Sequence, residues 1–262
     1  MALTRGGHDR RLVRRLSVRF TSLVVVLATA AAGCGGNQSG GNTPTSPSTT
    51  PTTPSQQVCR SYPSQYSFTV EVTGGGQTQT SSGTGSCSFS TGDSRLRCEV
   101  RTSAGLTTTT TSYASIADFV DEGQYLGRLL ARSVLNEEPN GNRSTTTYRY
   151  DGQRRCTGWD TTSNNGFADA SNVTGWDARD RSTTFTKNLT VPGVGTIACS
   201  AVFAFDDSAR TVSLSITGCT QTRAEVQTFD ETFFATRLVV TYFGVSQLTV
   251  SSNVTARFQV CK

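Results

Sequence analysis

The sequence predicts an all-β protein, an antiparallel β-hairpin meander with one short helical insertion near 115–135. Three observations predict it. A phrase made of an aromatic residue, aspartate, three residues and arginine stands at Tyr150-Asp151 to Arg155, at Trp176-Asp177 to Arg181 and at Phe205-Asp206 to Arg210, with an incomplete fourth start at Phe229-Asp230. The starts lie 26, 29 and 24 residues apart, which marks repetition of one supersecondary unit. Runs rich in β-branched and aromatic residues, such as Thr145 to Tyr150 and Thr196 to Phe205, lead into the phrases as strands. Finally, residues 86–98 alternate so that Cys87, Phe89, Leu96 and Cys98 share one face, with Gly92-Asp93 as a two-residue turn.

Residues 1–33 have the layout of a secretory signal. Arg5, Arg10, Arg11, Arg14, Arg15 and Arg19 form a basic start, and Leu23 to Ala32 an apolar run ending in small residues. That run is too short to cross a bilayer, which takes about 20 residues. Ala31-Ala32-Gly33-Cys34 resembles the lipobox of bacterial lipoproteins. The resemblance implies a lipid on Cys34, attachment to a membrane and, with Gly35 following, the outer membrane of a Gram-negative envelope. Cleavage after Ala28-Thr29-Ala30, without lipid, is the alternative. Residues 34–57, rich in Gly, Ser, Thr and Pro, carry too little apolar surface to offset their ordering entropy and read as an extended tether.

Removing residues 1–33 also removes the net charge. Their six arginines and Asp9 account for the formal +5: of 24 basic and 19 acidic groups, 18 of each remain. A balanced chain without a cluster of cations and aromatics argues against a nucleic-acid partner.

The remainder divides into an N-terminal β region with the short helix, 58–142, and a repeat-bearing β region, 143–262. In the first, Phe68, Val70 and Val72 form one buried face of a strand that Gly74, Gly75 and Gly76 end. Ser115 and Asp118 make a helix-capping pair, and Ile116, Phe119, Val120, Gly123, Leu126, Leu130 and Val134 recur at helical spacing. Gly123 and Gly127 weaken that helix, and Pro139-Asn140-Gly141 ends it.

Each repeated phrase reads as a hairpin corner. Asp151, Asp177 and Asp206 can each accept a hydrogen bond from the backbone two residues on and hold a turn. Two registers are open. A three-residue loop ending in the left-handed conformation sets Asp opposite Arg155, Arg181 or Arg210 as an ion pair; a two-residue turn sets Tyr150, Trp176 or Phe205 opposite it. The phrase, best at 148–156, is similar to the YD repeat of Rhs-type and teneurin-like shells, whose pattern is roughly Tyr-x-Tyr-Asp-x-x-Gly-Arg. The resemblance covers about 144–235 and implies hairpins laid side by side, as a strip or a sandwich. The family's glycine before the arginine is here Arg154, Asp180 or Ala209.

The chemistry open to such a chain is narrow. With His8 removed there is no imidazole, which excludes Ser-His-Asp and Cys-His nucleophiles and histidine-ligated zinc. No metal site, cofactor or phosphate-binding loop is expected. Seven cysteines follow Cys34 without a CxxC, as in a disulfide-bonded exported protein. The 86–98 hairpin sets Cys87 opposite Cys98. Pairing Phe205 with Val212 sets Cys199 one residue short of Cys219, which a bulge at Gly218 corrects. Cys59–Cys261 then closes the longest loop, leaving Cys156 as a buried free thiol.

The sequence therefore reads as a monomeric, lipid-anchored, non-enzymatic cell-surface scaffold for envelope or extracellular partners. One alternative is a glycan-binding module with Trp159 and Trp176 as candidate contacts. A second is a glycosidase built on paired carboxylates.

Overall fold

The computed structural model describes residues 57–219, 223–242 and 246–262. The signal segment and Cys34 lie outside them, as does the tether apart from its last residue. The strands are β1 (Cys59–Gly74), β2 (Gln77–Ser90), β3 (Arg95–Thr102), β4 (Gly105–Tyr113), β5 (Ala131–Glu137), β6 (Arg143–Tyr150) and β7 (Cys156–Ser163), followed by β8 (Ala168–Trp176), β9 (Ser182–Val191), β10 (Gly195–Asp206), β11 (Thr211–Thr217), β12 (Arg223–Phe229), β13 (Ala235–Tyr242) and β14 (Ser246–Cys261). Each pairs antiparallel with the next, and β1 pairs with β14, so the fourteen strands close into an up-and-down barrel.

Closure corrects the expected strip or sandwich. In a strip the first and last strands would expose unpaired backbone along their whole length. Here the two longest strands satisfy each other, from Cys59 opposite Cys261 to Thr73 opposite Gln247. The 58–142 and 143–262 regions meet at an ordinary ladder between β5 and β6 and form one wall.

The wall follows the period of two. Phe68, Val70, Leu96, Val100, Phe185, Ala201, Phe203, Val212, Val240 and Leu248 point inward and are buried. Outward positions carry hydroxyls and charge: on β2, Thr78, Thr80, Ser82, Thr84, Ser86, Ser88 and Ser90 are all exposed, and on β6, Arg143, Thr145, Thr147 and Arg149.

The one helix among the described residues, α1 (Ile116–Glu122), connects β4 to β5. Ser115 caps it, its side chain accepting the Asp118 N–H at 3.2 Å. The helix stops at Glu122, short of the full apolar spacing: Val134, which continues that spacing, lies in β5 with its side chain buried in the wall.

Three disulfides tie the wall: Cys59–Cys261 at the β1–β14 seam, Cys87–Cys98 within the β2–β3 hairpin, and Cys199–Cys219. The last needs an offset, because the β10–β11 ladder ends at Ser200 opposite Thr217; Gly218, at φ +80°, turns Cys219 toward Cys199. Cys156 is fully buried, and it is disulfide-bonded rather than the free thiol expected.

The seam bond closes a 202-residue separation and the hairpin bond one of 11. Loop entropy gives about 5 and about 3 kcal/mol for the two, ideally. Cys59→Ser/Cys261→Ser should therefore lower the urea-unfolding free energy by roughly 2 kcal/mol more than Cys87→Ser/Cys98→Ser.

Candidate functional site

All turns that follow even-numbered strands lie at one end of the barrel, together with the seam disulfide, and the repeated phrases are four of these rim turns. Asp151 Oδ1 accepts the N–H groups of Gln153 and Arg155, both at 2.9 Å, while Oδ2 accepts Arg155 Nε at 2.8 Å. This is the three-residue loop, with Arg154 left-handed at φ 63°. Asp177 repeats it with Arg179, with Arg181 Nε at 2.7 Å, and with Asp180 at φ 57°. Burial pushes the Asp177 carboxyl up, but the Arg181 hydrogen bonds outweigh it and hold the group below the usual carboxylate range.

The other two turns depart from the pattern. At Asp230 the position of the arginine is Phe234, whose N–H still bonds Oδ1; Arg257, from β14, supplies the cation. At Asp206 the loop is one residue longer, because Asp206 pairs with Thr211 and the left-handed residue is Arg210. Asp206 instead accepts the N–H groups of Ser208 and Ala209, and it is Asp207 that binds cations, taking Arg181 at 2.9 Å and Arg179 at 2.9 Å from the next turn.

These turns hold a plug. Residues 114–130 cross the lumen at the rim. Phe119 and Val120 are fully buried near β1, β2 and β4, where Phe119 stacks on Phe89 at 4.2 Å; Leu126 packs on the far side among Val173, Phe185, Ala201, Phe203 and Val212. Rim cations fasten it: Arg154 to Asp118, Lys262 to Asp121, and Arg181 Nη1 to the Leu126 carbonyl at 3.5 Å. Tyr150 donates its hydroxyl to the Ala131 carbonyl at 2.7 Å, just past the plug. A Cβ on Gly123 would collide with the Arg60 side chain, and one on Gly127, already left-handed at φ +75°, with the Phe205 ring.

Beneath the plug lies an ion pair withdrawn from water. Arg60 Nη1 lies 3.4 Å from Glu122 Oε1, with side chains only 7% and 10% exposed. Arg60 also donates to the Phe119 carbonyl at 2.9 Å, and its guanidinium lies over the rings of Phe119 and Tyr62 at 4.4 and 5.0 Å. Glu122 accepts the Tyr113 hydroxyl at 2.9 Å and the Leu130 N–H at 2.8 Å. Burial, then the neighbouring Glu122 charge, push the Tyr113 hydroxyl far above its ordinary range. A second buried network sits on the walls of β8, β9 and β12: Asp169 with Lys187 at 2.7 Å, and Glu225 with Arg223. Burial pushes the Glu225 carboxyl up, against the pull of Arg223 and Lys187.

Next to the Arg60–Glu122 pair is a cavity of about 140 Å3. Rings from Tyr62, Tyr66, Phe68, Phe229, Phe233 and Phe234 line it, with Leu96, Val100, Leu129, Val134, Leu238 and Val250. Tyr125, half exposed at 53%, stands at its edge.

The residues expected to bind glycan take other roles. Trp159 packs inside the wall against Phe185 at 4.9 Å; Trp176 donates its indole N–H to the Cys156 carbonyl at 3.1 Å, with Arg155 5.0 Å from its ring. They form no common exposed platform. The corner aspartates are committed to turn backbone and to arginines, which leaves no carboxylate pair across a groove among them. Sequence reasoning passed over Arg60, Glu122 and Arg128. Two signals were present. Arg60 is a charged residue in a strand whose partners point inward, and Glu122 stands at a helix C-terminus, where the dipole disfavours an acid unless a cation answers it.

The outward faces bear on the class of barrel. A membrane-spanning barrel shows lipid an apolar band flanked by aromatic girdles. Burying an unpartnered hydroxyl in hydrocarbon costs roughly 2 kcal/mol or more, so the seven on β2 alone would cost on the order of 10 kcal/mol. The large apolar side chains exposed on the strands, Val202 and Val226, stand on two separate strands, β10 and β12. The fold is a closed barrel with a hydroxyl-rich exterior and a plugged lumen that holds aromatic clusters and buried ion pairs.

No protein-family model and no curated protein matches the sequence. Among solved structures, the chain is similar to a porin-like protein from Bacteroides uniformis, with a TM-score of 0.32 and 9% identity, over 74% of this chain and 96% of that one. That likeness is too slight to carry the neighbour's properties here.

The plug makes a direct prediction. Glu122→Gln leaves the buried Arg60 cation uncompensated and should cost about 3–5 kcal/mol in urea unfolding, while Arg60→Met/Glu122→Gln should recover most of that loss. Equal losses in the single and double variants would show that the ion pair does not set the plug's stability.

Proposed function

We propose that this protein is a non-enzymatic binding barrel of the cell envelope that holds a small apolar molecule in its lumen. The observation that carries the reading is the inverted polarity of the wall, with hydroxyls outside and rings inside around a cavity of about 140 Å3. A packed core seldom leaves a void this large, since side chains interdigitate with few gaps larger than a water. A cavity of about 150 Å3 lined by apolar side chains accepts benzene; here the rings share the lining with Arg60, Glu122, Arg128, Thr109 and Thr111. Binding inside a barrel of this kind asks for shape and burial rather than for the acid–base groups of catalysis.

Two experiments test it. Toluene or benzyl alcohol, titrated into the mature chain, should raise its melting temperature saturably, as expected of a ligand that binds only the folded state. Val134→Phe, which fills the cavity wall, should abolish the shift while far-UV circular dichroism keeps its β spectrum. No saturable shift with either probe would overturn the reading.

A further inference from the structure

We infer that residues 123–128 form a flap that opens to admit and release the occupant of the lumen, with Leu126 as its latch and α1 as its fixed base. The inference rests on the binding reading above and adds the route of access. The plug divides into two parts that are held differently. In α1, Phe119 and Val120 are fully buried, the Phe119 ring meets Phe89 at 4.2 Å and Tyr113 at 5.4 Å, and Arg154 and Lys262 fasten Asp118 and Asp121. Beyond the stretch, Leu129 is buried in the same cluster as Phe119, and the Leu130 N–H bonds Glu122 at 2.8 Å. Residues 123–128 are thus pinned at both ends.

Between those ends the grip is slight. Among the described residues, no backbone hydrogen bond joins 123–128 to the wall: the N–H groups of Gly123 and Gln124 turn back to the carbonyls of Val120 and Asp121 at 3.2 and 3.1 Å, and that of Arg128 to Tyr125 at 3.3 Å. Arg128 Nη1 also bonds within the plug, to the Asp121 carbonyl. Two long side-chain bonds reach the barrel, Arg181 Nη1 to the Leu126 carbonyl at 3.5 Å and Gln124 Nε2 to the Cys59 carbonyl at 3.4 Å. What holds the stretch down is Leu126, 3% exposed and packed among Val173, Phe185, Ala201, Phe203 and Val212. Its neighbours Tyr125, Gly127 and Arg128 line the cavity, and Leu126 itself does not. Tyr125, half exposed, already carries the edge of the stretch to solvent. Lifting 123–128 therefore breaks no strand pairing and opens the cavity at that edge. Its main cost is the burial of one leucine, a factor on the order of ten to a hundred in the opening equilibrium.

Hydrogen exchange and ligand kinetics on the mature chain test this together. In the wild-type chain the amides of 123–128 should exchange at least about tenfold faster than those of α1, β13 and β14, since a flap opens without unfolding the barrel. Val240→Ala, at a fully buried position of β13 outside the cavity lining, should speed exchange in β13 and β14 by about tenfold or more and leave the flap within about twofold. Leu126→Ala should raise flap exchange and both the association and dissociation rates of benzyl alcohol, read from NMR line shapes, by about tenfold or more. Its dissociation constant should stay within about twofold, which also reports that the variant is folded. A flap that exchanges in step with the strands, and follows them in Val240→Ala, opens only with the whole barrel and overturns the proposal. Ligand rates unchanged in Leu126→Ala would place the entry elsewhere, overturning the gate while leaving the binding reading intact. Failure of benzyl alcohol to bind the wild-type chain would overturn that reading and the gate with it.

Discussion

A fourteen-stranded barrel encloses more space than its wall can fill, and the rest of this structure depends on how that space is occupied. About eight strands already make a lumen that inward side chains pack by themselves. Here the walls contribute large rings, among them Tyr62, Phe68, Trp159, Phe185 and Phe203, and still need a segment from outside the sheet. Residues 114–130 supply it, and with them comes backbone that must find partners away from water. Arg60 and Glu122 meet that demand: the guanidinium takes the Phe119 carbonyl and the carboxylate takes the Leu130 N–H. The ion pair is thus a device for burying a stretch of irregular chain. Its own net contribution is small, as desolvation offsets most of the attraction.

The rim turns and the plug are one mechanical unit. The Asp151 and Asp177 turns present arginines at the rim, and the neighbouring turn or the plug uses them: Arg181 binds its own Asp177, Asp207 of the next turn and the Leu126 carbonyl. Arg154 pays a left-handed backbone penalty of roughly 1 kcal/mol, yet from that conformation it reaches Asp118 on α1. The repetition seen in the sequence therefore has a physical purpose at the rim beyond turning the chain. It builds a ring of cations above a lumen that buries carbonyl oxygens and carboxylates.

What was legible in the sequence follows from how local each feature is. The period-two alternation and the Gly92-Asp93 turn fix the register of β2 on β3, and with it Cys87 opposite Cys98. The β10–β11 register, Phe205 on Val212 through Ala201 on Ile216, follows in the same way from alternation on both sides of one turn. Closure was not legible, because a meander has the same local pattern whether its ends meet or not. A bond between Cys59 and Cys261 nonetheless demands that the first and last strands be neighbours, which a flat strip of fourteen strands cannot satisfy. The cavity was hidden for a different reason. It is lined from β1, β3, the plug and β13 together, residues up to about 190 positions apart, whose convergence only the closed barrel creates.

The state of the lumen follows from two demands that conflict. Fixing the plug calls for guanidinium groups inside an apolar barrel, and each brings more donors than the plug can use. Arg60 and Arg128 both line the cavity, and each keeps an Nε that is buried without a partner. Removing either would take a donor from the plug, Arg60 from the Phe119 carbonyl and Arg128 from the Asp121 carbonyl. The groups that fix the plug are thus also the ones that keep this part of the lumen from closing into a wholly apolar core.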